Sequence, residues 1–465
     1  MMSSDHDLVV VGGGSAGHAA ARTAAGLGAD VALVESAETL GGLCILRGCM
    51  PSKTLIETAN RMRAIREAGN FGIDAPEPRL DADRLRSRLE RLVGGFREAR
   101  VGAMRSTGYR LVRGAARFRS PHQIEVRDRD GSGSLLGARA FVVATGSHPH
   151  VPGIPGLRDT PYWTSDDVVA LPRVPERLLV VGSGAVGMEC AHLFEGLGSR
   201  VTVLARSERI LGGFDADLAE AVQRAGEERG IRVLACTEAG AVRHADGRFR
   251  VSTGEDGTEH EADALLVATG RRPRLDGLGL DAAGVALASG RIVIDERAAT
   301  SVPHIFAAGD CASPVPVVHL AVRQGEVAAR NALRLLRGTH TDPPAEWQEQ
   351  QAMVGLFTAP EVVKVGMSLD EARRHGLEAR EFRHDLDDQG KGEIVGSRHG
   401  FAKLVVEDGS RRLLGAAAVG PGMIDCSHVI QLALRREMSL DELLETPFYH
   451  PTLAEIWSYV AESDL

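Results

Sequence analysis

Asp7 to Gly17 reads D-L-V-V-V-G-G-G-S-A-G, an apolar run that ends in three glycines and leads into small residues continuing towards Leu27. The spacing predicts a strand, a tight turn and a helix. Gly12 permits the turn, Gly14 lets a pyrophosphate approach the backbone, and Gly17 lets helix and strand pack closely. Ser15 and Ala16 open the helix, whose N-terminus faces phosphate charge. A second strand, Val31 to Val34, ends in Glu35, where a carboxylate roughly 20 residues on binds a ribose hydroxyl.

The pattern recurs. Leu178 to Val181 is apolar, Gly182, Gly184 and Gly187 follow at the same spacing with Val186 among them, and Val201 to Leu204 forms the next strand. Two dinucleotide sites are therefore expected. F-V-V-A-T-G, from Phe141 to Thr145 and Gly146, and L-L-V-A-T-G, from Leu265 to Gly270, each read as a strand on which the chain leaves a nucleotide-binding domain. Pro-rich stretches near 149–155 and at 273 read as hinges, because proline interrupts regular structure. From about Trp347 the glycine fingerprints stop, and short apolar strands such as Phe401 to Val406 alternate with helices such as Cys426 to Leu434. That part reads as a separate α+β domain.

Composition agrees with several ordinary cores. At 465 residues, 43% apolar and 25% charged, the chain suits two to four globular domains. A formal charge of -9 argues against nucleic-acid or anionic-membrane partners. The arginine-rich stretch 61–119 reads as a solvated helix face. The first residues lack a basic-then-apolar leader, and no run approaches the roughly 20 apolar residues of a spanning helix, so a cytoplasmic protein is expected.

Six cysteines in so long a chain do not make a disulfide scaffold. Two stand close together: residues 41–53 read G-G-L-C-I-L-R-G-C-M-P-S-K, with Cys44 and Cys49 five apart. That spacing is wrong for structural zinc, and no second pair at metal spacing accompanies it, so no metal centre is expected. In a helix the two side chains lie about one and a half turns apart and need a distorted turn to bond.

At this segment the chain resembles the pyridine nucleotide-disulfide oxidoreductases, the group that includes dihydrolipoamide dehydrogenase, glutathione reductase and mercuric reductase. The likeness to their G-G-T-C-x-N-x-G-C-x-P-S-K implies that Cys49 faces an FAD and forms the charge-transfer thiolate while Cys44 exchanges with substrate. It implies further that Lys53 stands by the flavin with Glu189 as its partner. Gly42, Ala115, Thr145, Gly146, Gly270 and Arg271 fall at cofactor-contact positions. Thr300 to Asp310, T-S-V-P-H-I-F-A-A-G-D, is similar to the family's second FAD motif, with Gly309 allowing close approach and Asp310 on the ribityl chain. His319 and Ala321 match residues beneath the flavin. H-P-T-L-A-E from His450 to Glu455 resembles the acid–base pair that reaches the disulfide of the partner subunit, which implies a homodimer.

The resemblance implies an α/β protein with two Rossmann-like dinucleotide-binding domains and a C-terminal α+β dimerisation domain. The expected division is 1–150 for FAD, 151–272 for the nicotinamide nucleotide, 273–345 for the second FAD part and 346–465 for dimerisation. Leu46 and Arg47 replace the usual Asn-Val, and Arg47 adds positive charge between the cysteines. The final A-E-S-D-L has no cysteine pair, which sets mercuric reductase aside, and P-S-K with H-P-T-L-x-E points to a lipoyl-type dithiol, free or carried on a protein. Ala205 stands where NAD-binding relatives carry an acid. Arg206, with Arg209 behind it, favours NADP(H) over NAD(H), although Gly187 is typical of NAD sites and Gly212 is not the second arginine. Alternative readings are an NADPH-dependent reductase of a small disulfide, a flavoenzyme sending hydride to quinone, oxygen or a second nucleotide, and a non-catalytic scaffold.

Overall fold

A computed structural model describes residues 6–171, 173–254, 257–338, 343–348 and 352–463. The chain divides into two compact units: residues 1–52, 86–150 and 271–348 form one, and 53–85, 151–270 and 349–465 the other.

In the first unit, His6–Val11 pairs in parallel with Val31–Glu35 on one side and with Gly133–Val143 on the other. Arg110–Arg113 extends the sheet beyond Val31–Glu35, and Ile305–Ala307 adds in parallel to the far side of Gly133–Val143. In the central strand Leu8, Val9 and Val10 form an unbroken apolar run and are fully buried, as in a parallel strand covered on both faces. An antiparallel extension, Ala115–Ser120 and Gln123–Arg127, completes the unit.

The turn after the first strand is built as the spacing requires. Gly12 adopts φ +103, in the region that L side chains avoid. A Cβ on Gly17 would overlap the Gly12 carbonyl oxygen, so only glycine lets the helix Ser15–Gly26 lie this close to the strand. The helix Ala82–Ser106 accounts for much of the arginine-rich stretch: Leu85 and Leu89 are buried while Arg84, Arg88 and Arg91 are exposed.

In the second unit the pattern repeats. Arg177–Val181 pairs in parallel with Arg200–Leu204 and with Ala264–Val267, and the helix Ala185–Gly196 follows the turn. A Cβ on Gly187 would overlap the Gly182 carbonyl, so the close packing of this turn demands glycine there. The unit also contains a five-stranded antiparallel sheet from Met353–Leu356 to Leu413–Gly420, with Trp457, Ile456 and Leu440 buried in its core. The prolines read as hinges lie beside the points where the chain passes between the two units, at 150/151 and 270/271. Pro149 and Pro273 lie in Ser147–Pro149 and Arg271–Pro273, which pair as a two-stranded antiparallel ribbon. Proline is tolerated there because such a ribbon is all edge.

No helix among the described residues is long and apolar enough to cross a membrane.

Candidate functional site

Around the first fingerprint turn the structure gathers most of the residues assigned to a dinucleotide. Glu35 closes its strand with Oε2 accepting the Gly13 N–H at 2.8 Å and Oε1 accepting the Ala37 N–H at 2.7 Å. Its carboxylate thus stands at the turn, as a ribose-binding acid must. A Cβ on Gly42 would come within 2.8 Å of the Gly14 Cα, whereas one on Gly14 would meet nothing within 4 Å. Gly309 sits between Ala16 and Ala321, which a Cβ there would approach to 3.1 and 3.4 Å. The Asp310 carboxylate accepts the Ser147 hydroxyl at 2.6 Å, and Arg271 Nε donates to that same hydroxyl at 2.9 Å.

Gln324, fully buried, was not singled out in the sequence. Its Oε1 accepts the Gly309 N–H at 2.8 Å, while its Nε2 has no partner among the described residues. The buried Thr145 hydroxyl hydrogen-bonds with the Cys311 thiol and has no nitrogen or oxygen partner among the described residues. A buried polar atom without a partner is costly. Gln324 Nε2, in a unit with a glycine-lined turn and an acid beside it, fits a flavin dinucleotide. His319 is exposed in the first turn of the helix Val318–Arg337, and Ala115 is exposed at the start of its strand. Gly146 and Gly270, at φ +71 and +111, turn the chain after their strands.

The distorted turn between the cysteines is present. Cys44 lies in the helix Gly42–Arg47, Gly48 breaks it at φ -129 and ψ -119, and Cys49 opens the helix Cys49–Arg66. Both are half-buried thiols not joined in a disulfide. A hydrogen bond with Cys49, together with burial, pushes the Cys44 thiol far above its usual range, and Arg100 pulls it the other way. Two thiols in hydrogen-bond contact are the reduced form of a pair that can close into a disulfide. Arg47 is exposed, and Leu46 covers Gly41. The Cys190 thiol is buried and pushed up to about 12, and burial pushes Cys426 up to about 11, so neither is a ready nucleophile.

The second unit contains two side-chain pairs, one between residues far apart in sequence and one within a short turn. Lys53 Nζ reaches both Glu189 oxygens, at 2.9 and 3.0 Å. His450 Nδ1 lies 2.9 Å from Glu455 Oε1, and the Thr452 N–H donates to Oε2 at 2.8 Å. The His450 side chain is 73% exposed and that of Glu455 only 7%. Burial would raise the Glu455 carboxyl, but the Thr452 N–H and the His450 ring outweigh it and hold the carboxyl below its usual value. At the second fingerprint, Gly182 adopts φ +112, Gly184 caps the helix, and Val186 and Gly187 lie in its first turn. Ala205 is buried, and Arg206, 85% exposed, lies 3.7 Å from Glu238. Arg209 is exposed in the same loop.

Residues 6–325 match the pyridine nucleotide-disulphide oxidoreductase family, and residues 353–461 match the pyridine nucleotide-disulphide oxidoreductase dimerisation domain. A mercuric reductase from Acidithiobacillus ferrooxidans is 38% identical over 96% of this chain and 80% of its own length. A dihydrolipoyl dehydrogenase from Thermus scotoductus is 34% identical over 98% of this chain and 97% of its own. Among solved structures, LpdA from Mycobacterium tuberculosis superposes with a TM-score of 0.89 at 26% identity, over 99% of this chain and all of that one. Setting mercuric reductase aside on the final residues alone was therefore too strict, because relatives of that name are at least as similar as the dihydrolipoyl dehydrogenases.

Proposed function

The chain belongs to the pyridine nucleotide-disulphide oxidoreductase family, whose members are FAD-dependent enzymes using NAD(P)H, and on that footing we propose that its substrate is a lipoyl-type dithiol. The observation that carries the reading is the hydrogen-bonded pair of Cys44 and Cys49 across the break at Gly48.

Thr145, Gln324, Asp310 and the first fingerprint turn would hold the flavin. Bound there, FAD would carry the electron pair between nucleotide and cysteines, separating hydride from thiol chemistry. With the pair oxidised, a substrate thiolate attacks Cys44 Sγ and expels Cys49 as thiolate. The second substrate thiol then displaces Cys44, leaving an oxidised substrate and two reduced cysteines. His450, steadied by Glu455, takes the proton that the incoming thiol must lose. On this reading the enzyme works in the cytoplasm as a homodimer, with His450 serving the other chain's cysteines, and it prefers NADP(H). Lys53 and Glu189 serve the hydride step, where a fixed positive charge favours the reduced carrier.

A second reading, reduction of a soft metal ion, draws on the mercuric reductase relatives. A panel of dihydrolipoamide, oxidised glutathione and mercuric ion, run with both nucleotides, separates the two. Dithiol turnover that vanishes in Cys44→Ala, while nucleotide still bleaches the flavin, is the expected result. Turnover of mercuric ion alone overturns the lipoyl assignment.

A further inference from the structure

The carboxylate of Glu189 has a third partner besides the two contacts of Lys53. The Phe357 N–H donates to Glu189 Oε1 at 2.9 Å, and the ring of the same residue lies over Lys53, with Nζ 4.7 Å from its centroid. Phe357 begins the turn after the strand Met353–Leu356, in the segment that matches the dimerisation domain. It therefore comes from a part of the chain remote from both members of the pair it touches.

That turn is fastened independently of Lys53. Two residues on, the Ala359 N–H points to His192 Nδ1 at 3.4 Å, and Arg229 Nη1 donates to the Ala359 carbonyl at 2.5 Å. Glu189 and His192 stand three residues apart on the helix Ala185–Gly196, so one face of this helix grips the turn at two points. Arg63 donates to the His192 carbonyl and pairs with Glu195 at 2.9 Å, which fixes the same helix against the one that carries Lys53.

A lysine stem has four rotatable bonds and loses its geometry readily. A ring held over the ammonium limits those rotamers, displaces water from one side of the charge and attracts it through the ring quadrupole. We infer that Phe357 is a positioning residue for the Lys53–Glu189 pair, through which the dimerisation domain sets the geometry of the hydride step. This rests on the role proposed above for that pair.

Phe357→Leu removes the ring and leaves the backbone donor in place, and Phe357→Trp restores an aromatic face. Flavin reduction by nucleotide, followed by stopped flow in the holoenzyme, should slow by about three- to thirtyfold in Phe357→Leu, the span of a cation–π contact between exposed and desolvated settings. The flavin midpoint potential should move to a more negative value, dithiol exchange should stay unchanged, and Phe357→Trp should recover both rate and potential. If Phe357→Leu only lowers the melting temperature, or slows both half-reactions alike, the residue is structural and the inference fails. Glu189→Gln serves as the control. Should it leave flavin reduction untouched, the role of the pair itself falls, whereas a slow Glu189→Gln beside a normal Phe357→Leu overturns Phe357 alone.

Discussion

Glu455 binds both ends of its own turn: one carboxylate oxygen meets His450 Nδ1 at 2.9 Å, and the other accepts the Thr452 N–H at 2.8 Å. The ring is thereby aimed outward from a buried anchor, with its Nε2 edge presented to solvent. An acid–base group needs this combination of a fixed tautomer and an accessible nitrogen.

Glu455→Gln preserves the shape of this arrangement and removes the charge that stabilises a protonated ring. Dithiol oxidation should fall by about a hundredfold, within the range for general acid–base groups, with flavin reduction by nucleotide unchanged. Separate steady-state and stopped-flow measurements check this, and equal losses in both half-reactions contradict it. Mixing His450→Ala chains with Cys44→Ala chains should restore part of the activity if the site is shared across a dimer.

Much of the site was legible because its chemistry is local in sequence. The turn at Gly12 to Gly17 folds within a few residues, so spacing carries it, whereas the Cys44 to Cys49 segment and the His450 to Glu455 turn, equally local, were carried by the family resemblance. Gln324 and Phe357 were illegible for the opposite reason. Gln324 acts on Gly309 and Phe357 on Lys53, and neither partner is near in sequence, so no periodicity or motif marks them. The prolines near 149–155 and at 273, by contrast, were legible, because the chain passes between its two units at 150/151 and 270/271.

Lys403 is a buried cation held by three carboxylates. Only 4% exposed, it lies 2.7 Å from Asp215, 3.1 Å from Asp217 and 3.2 Å from Glu381. Burial pulls its pKa down, but the three carboxylates outweigh that and leave it raised. Lys403→Met keeps the volume and strands three like charges together. Because those carboxylates are a quarter to a third exposed, the loss should lie near the lower end of the roughly 3–5 kcal/mol for a broken buried pair. Urea unfolding gives the value, and an unchanged midpoint contradicts it.

His192 makes stability fall in mild acid. Burial, with Arg63 and Arg229 close by, lowers its pKa to about 3 from the ordinary 6.5. Below about pH 6.5 the unfolded chain takes up a proton that the folded chain refuses, so stability present above that pH drains away as pH falls towards the folded value. The slope from this one residue approaches about 1.4 kcal/mol per pH unit. His18, lowered to about 4 by burial and by Arg100 and Arg22, adds in the same direction. His192→Asn keeps an acceptor for the Ala359 N–H and cannot titrate. Its urea midpoint should vary less between about pH 7.5 and about pH 5 than the wild-type midpoint does. Parallel curves contradict the assignment.

The proposed preference for NADP(H) rests on the loop after Arg200–Leu204. Ala205 is buried and offers no carboxylate to a ribose 2′-hydroxyl, while Arg206 extends into solvent, 3.7 Å from Glu238, in a contact too long and too exposed to hold it. A guanidinium free to swing can take a 2′-phosphate bidentately, and Arg209 adds charge of the same sign nearby. The glycine at 187 does not argue for NAD(H) here, because the Gly182 carbonyl leaves no room for a side chain whichever nucleotide binds. Wild-type protein should therefore show the higher kcat/KM with NADPH. Arg206→Ala should lose at least about tenfold with NADPH, the worth of one charge-assisted contact, and stay within about threefold with NADH. Glu238→Gln, which removes the competing carboxylate, should shift preference further towards NADPH. Steady-state kinetics with both nucleotides decides the matter, and a wild-type preference for NADH, or an Arg206→Ala variant that keeps its NADPH efficiency, rules out Arg206 as the determinant.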